Sequence, residues 1–228
     1  MKPKSQFSAS LLSWYGGNRR DFPWRYRYDP YLVLVSEFFL QRTRAEDAVE
    51  PFLAVTERYR DVAELSKADI AFLAPIFGSL GLFYRGERII KAAGEIASLE
   101  GGMIPNVEGE LLKVTGIGKY SANAVLCFGY KKRRAILDGN VVRIYSRIFS
   151  AAPEVAGQRA TKALWDFAEE MLPDENFIDF NYALLDFGAE MCTPKGPKCH
   201  ICPFKSSCAR YRREREGMAG GSTPGSFP

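Results

Sequence analysis

The chain is 228 residues long, 46% hydrophobic and 25% charged, with a formal net charge of +4; this supports one sizeable core or two small ones, and a mildly basic surface that suits a nucleic-acid partner without requiring one. No apolar run approaches the roughly 20 residues that cross a bilayer. Nor does the N-terminus carry an apolar stretch followed by a cleavage site, so no membrane partner is expected, and the expected location is the cytoplasm, on the nucleoid if the cell is prokaryotic.

Residues 7–15 read as a short helix with Leu11, Leu12 and Trp14 supplying apolar surface, ended by Gly16-Gly17-Asn18. Asp21-Phe22-Pro23-Trp24-Arg25 follows as a rigid loop. After Asp29-Pro30 the run YLVLVSEFFLQRT is apolar on nearly every side, which predicts a buried helix from Tyr31 to about Thr43. Further helices are expected near residues 45–60, 67–74, 84–99 and 107–114, broken by Gly78, Gly81 and Gly101-Gly102. A glycine hairpin, Thr115-Gly116-Ile117-Gly118, then leads into a helix that begins Lys119-Tyr120-Ser121. The basic turn Lys131-Lys132-Arg133-Arg134 follows, and Asp138 opens the next helix. Ala160, Leu164, Phe167, Ala168 and Met171 share one helical face, as do Phe180, Ala183, Leu184, Phe187 and Met191. No stretch alternates with period two, so the fold is expected to be all-α. From Gly217 the composition cannot bury apolar surface, and residues 214–228 are expected to form a disordered tail.

Four stretches carry chemistry. Gly116 and Gly118 permit a tight turn whose amides face outward, suiting close approach to a phosphate. Asp138, followed by Gly139, reads locally as a helix N-cap, and a carboxylate there is also available for catalysis. Glu37 lies in the most apolar helix, where a carboxylate is costly unless paired with an arginine or used. Helical spacing places Val33, Glu37 and Gln41 on one stripe. Cys192, Cys199, Cys202 and Cys208 crowd into one loop stiffened by Pro194, Pro197 and Pro203. Such a set can hold a tetrahedral zinc or a cubane iron–sulfur cluster, whereas Cys127 reads as a small core residue and His200 as a loop residue.

The x6-x2-x5 cysteine spacing resembles the [4Fe–4S] loop of the endonuclease III superfamily of DNA glycosylases. VTGIGKYSANAV resembles the superfamily's helix-hairpin-helix, and ILDGNVVRIYSR the segment with its catalytic aspartate. DFPWR and SEFFLQRTRA resemble elements shared by MutY-like adenine glycosylases and archaeal thymine/uracil mismatch glycosylases. The resemblance implies two helical domains flanking a DNA-binding cleft: a six-helix barrel with the hairpin over residues 22–134, and a cluster domain from residues 1–21 and 135–213. It implies a [4Fe–4S] cluster on Cys192, Cys199, Cys202 and Cys208.

It makes Asp138 the carboxylate that stabilises an oxocarbenium-like sugar and Glu37 the group that protonates or hydrogen-bonds the leaving base. The amides of Gly116, Gly118 and Tyr120, beside Lys119, would hold a DNA phosphate, with a monovalent cation as a candidate bridge. Gln41 and Arg42 would reach the gap left by the flipped base; Leu82 is a candidate wedge, and Tyr182 a candidate cleft residue. Bifunctional members carry a Schiff-base lysine where this chain has Tyr120, and Lys119 is rotated away by about 100° on a helix. The resemblance therefore implies a monomeric, monofunctional glycosylase with little or no AP-lyase activity. It would remove thymine or uracil from G·T and G·U mismatches in double-stranded DNA. Tyr120 and Arg42 favour the mismatch enzymes, whereas Gln41 and LDGN lean towards adenine glycosylases acting opposite 8-oxoguanine. A non-catalytic DNA-binding module would keep the hairpin and cysteine loop without needing Asp138 and Glu37.

Overall fold

The computed structural model describes residues 3–81, 84–150 and 160–219, and every regular element among them is helical, as the hydrophobic periodicity predicts. Two compact units form, one from Met1–Arg20 with Ala135–Pro228, the other from Asp21–Arg134.

The first helix, α1 (Pro3–Asn18), does not stop at its glycines. It runs through Gly16 and Gly17 to Asn18, whose side-chain amide donates to the Trp14 carbonyl at 2.8 Å. Each helical glycine costs about 1 kcal/mol relative to alanine. Burial of Phe7, Leu11 and Tyr15, at 4%, 0% and 4% exposure, offsets that.

In the unit Asp21–Arg134, α2 (Pro30–Leu40) is the centre, with Tyr31 and residues 33–39 all buried. Asp29 starts it by accepting from the Tyr31 amide at 2.8 Å, and Pro30 needs no donor at that position. The helix ends at Leu40, short of the expected Thr43. Gln41 is extended (ψ 109°) and Arg42 left-handed (φ 61°). Arg85 supplies the reason: it donates to the Phe38 carbonyl at 3.2 Å, the group that an amide at residue 42 would otherwise bind.

A 3₁₀ turn, Glu46–Ala48, leads into α3 (Val49–Arg58). The one-turn α4 (Val62–Leu65), unanticipated from periodicity, is capped by Asp61, which accepts from Glu64 N at 2.8 Å. Then come α5 (Ile70–Ser79), α6 (Tyr84–Ala97), α7 (Glu108–Leu111) and α8 (Lys119–Ala124). α5 keeps both Pro75 and Gly78 because Leu73 and Phe77 are wholly buried on its inner face. α8 passes into a π-helical stretch, Val125–Gly129, which packs on α2. The approach is close enough that a Cβ on Gly129 would lie 2.7 Å from the Pro30 Cα.

The remaining helices, α9 (Gly139–Phe149), α10 (Lys162–Met171), α11 (Phe177–Glu190) and α12 (Ala209–Ala219), complete the other unit. α11 packs on α1 and α9, and α12 on α9. Phe7 is the hub of its core, with ring centroids 4.7 Å from Phe204, 5.0 Å from Phe149 and 6.0 Å from Phe180. α12 continues to Ala219, well into the segment whose composition suggests a disordered tail; an Arg210–Glu214 pair at 2.7 Å, one turn apart, supports it.

Candidate active site and cysteine loop

In the unit Asp21–Arg134 the glycine hairpin is pinned by a carboxylate on α6. Glu95 accepts from the Thr115 amide and hydroxyl at 2.7 and 2.6 Å, and these bonds hold its carboxyl below the ordinary range. Gly116 has φ +85°, and a Cβ there would meet the Phe38 ring at 3.1 Å. Gly118 differs: it is extended (φ −99°), caps α8, and has open space where a Cβ would sit. Only Gly116 is demanded by the turn; at Gly118 the absent side chain leaves the approach to the first amides of α8 clear. The same turn of α8 reaches α2. Ser121 Oγ donates to Glu37 Oε2 at 3.1 Å, and Glu37 is 5% exposed. Tyr120, between hairpin and Ser121, is half-buried, while Lys119 is exposed.

Asp138 belongs to the other unit and is the N-cap of α9. Its Oδ1 accepts from Val141 N and its Oδ2 from Asn140 Nδ2, both at 2.8 Å. Burial pushes its carboxyl pKa up, opposed by hydrogen bonds from Val141 and Asn140 and the charge of Arg143. The local cap and a catalytic role are therefore compatible: the cap fixes the carboxylate's orientation. Arg143 extends the chain of contacts, donating to Asn140 Oδ1 at 2.8 Å, to the Gly188 carbonyl at 2.7 Å and to the Cys192 carbonyl at 2.7 Å. Gly188 must be glycine for this packing, because a Cβ would lie 2.6 Å from the Asn140 Cβ.

The four cysteines of residues 192–208 line one cavity together with Phe187, Met191, Pro197 and Tyr211. Arg147, 4% exposed, donates to the carbonyls of Thr193 at 2.7 Å and Pro194 at 3.2 Å. Phe204 anchors the loop from inside, its ring tilted against Phe7 and lying 5.3 Å from Phe187. Burial pushes the Cys202 thiol up to about 11, and burial with the neighbouring Cys192 and Cys208 raises Cys199. Among the described residues, no three Cys, His, Asp or Glu side chains gather closely enough to hold a metal ion. Four thiols lining one cavity are the donor set that a tetrahedral zinc or a cubane iron–sulfur cluster takes.

Of the other expected residues, Gln41 is half-buried and outside the helix, which breaks the Val33–Glu37–Gln41 stripe. Arg42 is exposed, Tyr182 is 5% exposed on α11, and Cys127 is wholly buried. Leu82 lies outside the described residues. Sequence reasoning missed Ser121, Glu95, Asn140 and Arg143. The i+2 spacing of Asn140 from Asp138 was a local signal; the partners of Glu95 and of Arg143 on the cysteine loop are far away in the chain.

Comparison with known proteins accords with this geometry. Residues 35–170 match the family model described as HhH-GPD superfamily base excision DNA repair protein. The thymine/uracil-DNA glycosylase of Methanothermobacter thermautotrophicus is 32% identical over 213 residues, covering 93% of this chain and 96% of that protein. An adenine DNA glycosylase of Buchnera aphidicola subsp. Baizongia pistaciae is 33% identical across 90% of this chain, which spans 58% of the relative's length. A thermostable thymine-DNA glycosylase structure superposes with a TM-score of 0.86 at 32% identity, covering 92% of this chain and 97% of its own.

Proposed function

Because the chain belongs to the HhH-GPD superfamily of base excision DNA repair proteins, we propose that it is a monofunctional DNA glycosylase that flips thymine or uracil out of G·T and G·U mismatches and removes it by hydrolysis. The observation that carries this reading is the junction of α8 with α2. There the buried Glu37 is held by Ser121, one residue from the half-buried Tyr120, at the end of an amide hairpin open to an anion. A backbone phosphate on the hairpin fixes the strand, Tyr120 offers a face to a flipped pyrimidine, and Glu37 donates a proton or hydrogen bond to the leaving base. As the N-glycosidic bond breaks, positive charge grows on the sugar. Asp138, oriented by Val141 N and Asn140, stabilises that charge and positions the attacking water. Water's oxygen bonds to the anomeric carbon, its proton passes to Asp138, and the base leaves with the proton supplied from Glu37.

No lysine occupies position 120, and Lys119 is exposed, so no Schiff base forms and the abasic strand stays intact. Cys192, Cys199, Cys202 and Cys208 would hold a [4Fe–4S] cluster, which when bound cross-links the loop between α11 and α12. The identity to an adenine DNA glycosylase, with Gln41 at the end of α2, favours a second reading in which the excised base is adenine opposite 8-oxoguanine.

A strand-cleavage assay on duplexes containing G·T, G·U, A·8-oxoguanine or thymine glycol, with and without alkali, tests these statements. Alkali-dependent breaks at the mismatched thymine or uracil are expected. Cleavage confined to the adenine substrate would shift the assignment to the second reading, and breaks without alkali would refute the monofunctional mechanism.

A further inference from the structure

The first turn of α6 carries positive charge that the hairpin reading leaves unexplained. Tyr84 is 52% exposed, and the guanidinium carbons of Arg85 and Arg88 each lie 5.9 Å from its ring centroid. Arg85, foremost, with the charges of Arg42 and Arg88, holds the exposed phenol below its ordinary range. Arg85 itself is 2% exposed, spends one nitrogen on the Phe38 carbonyl, and leaves Nε without a hydrogen-bond partner. None of Arg42, Arg85 and Arg88 has a carboxylate partner among the described residues. Removing a guanidinium from water beside two like charges is costly unless an anion joins them. The cluster also adjoins the hairpin, since Arg88 Nη2 would lie 3.4 Å from a Cβ on Gly116.

We propose that Tyr84 and Arg88, with Arg42 at their edge and the buried Arg85 adding its charge from beneath, form a second phosphate-binding site, continuous with the glycine hairpin and occupied by a DNA backbone phosphate. The Arg88 guanidinium fork matches phosphate oxygens, and the exposed Tyr84 hydroxyl has a proton to donate. The proposal rests on the DNA-glycosylase reading. It goes further by assigning part of the DNA grip to side-chain charge on α6, where the hairpin uses only backbone amides.

The test is the salt dependence of duplex binding by the full chain, followed by fluorescence anisotropy on lesion-free DNA from about 50 to 200 mM KCl. Removing one charged partner of a phosphate should lower the slope of log K against log[salt] by about 0.9. Arg88→Gln and the surface variant Arg42→Gln should each lower it by that amount, and Arg88→Lys should keep it. Tyr84→Phe should weaken binding without changing the slope. Thermal melting shows that each variant is folded, and Arg42→Gln keeps the test open should Arg88→Gln unfold. Unchanged slopes in folded glutamine variants would overturn the proposal while leaving the glycosylase reading intact; a wild-type chain that does not bind duplex DNA would sink both. Stabilisation by inorganic phosphate at constant ionic strength, with unchanged DNA slopes, would reassign the cluster to a free phosphate and so also overturn it.

Discussion

Replacing Asp138 by asparagine removes one charge, and with it the acceptor for the water's proton, while keeping the side chain's size and shape. Asparagine caps a helix as well as aspartate does, so the bond from Val141 N survives; the bond from Asn140 Nδ2 is lost. A full charge about 4 Å from the developing oxocarbenium is worth about 4 kcal/mol at an effective dielectric of 20, which predicts a fall of roughly 10³-fold in the rate of base release. Folding should change little. Burial raises the Asp138 pKa, so the folded chain holds that proton more tightly than the unfolded one. Asp138 thus favours folding below its unfolded value of 3.8, and that contribution fades as pH rises through the folded value. At neutral pH the buried charge is a cost that Asp138→Asn removes, against about 1 kcal/mol for the lost Asn140 bond. The assay is single-turnover base release on a G·T or G·U duplex, alongside anisotropy and melting curves. A folded, DNA-binding variant whose base release stays within about tenfold of wild type would refute the electrostatic role, since loss of a well-placed stabilising group costs at least about 10².

Other perturbations probe the scaffold. Gly129→Ala forces a methyl group against the Pro30 backbone and should destabilise the fold by about 1–3 kcal/mol in denaturant titration. Gly118→Ala has room for its Cβ and should melt near wild type, yet weaken duplex DNA binding in anisotropy by crowding the amides of α8. The depressed Glu95 carboxyl stabilises the fold above its ordinary value of 4.5 and loses that contribution as pH falls through the folded value; Glu95→Gln should therefore flatten the acid limb of melting temperature against pH. Arg143→Gln removes donors from Asn140, Gly188 and Cys192 at once, and should reduce base release together with the absorbance at about 400 nm that the proposed iron–sulfur cluster would give the purified protein. Retention of full absorbance and full activity would show that these bonds are dispensable.

Much of the architecture was legible because it is local. Hydrophobic periodicity placed most helices, Asp29-Pro30 announced α2, and Asp138-Gly139 announced α9, since a cap is settled within four residues. Where local rules failed, packing had overruled them. α1 runs through two glycines because its buried face holds it, α5 retains a proline for the same reason, and α2 stops early because Arg85 takes the Phe38 carbonyl from a residue 47 positions away.

By itself the sequence determined the helical class, the cysteine set and the motifs whose resemblance points to base excision, because each depends on residue type and short spacing. Only the tertiary structure decided how these groups are held. Ser121 meets Glu37 across 84 residues, and Arg143 meets Cys192 across 49. Arg85 and Arg88 flank the Tyr84 ring, and Arg88 reaches the vicinity of Gly116 across 28 residues. An arginine on a helix looks alike in sequence whether it faces water, a carbonyl or a phosphate, and the folded chain brings the partner that distinguishes them.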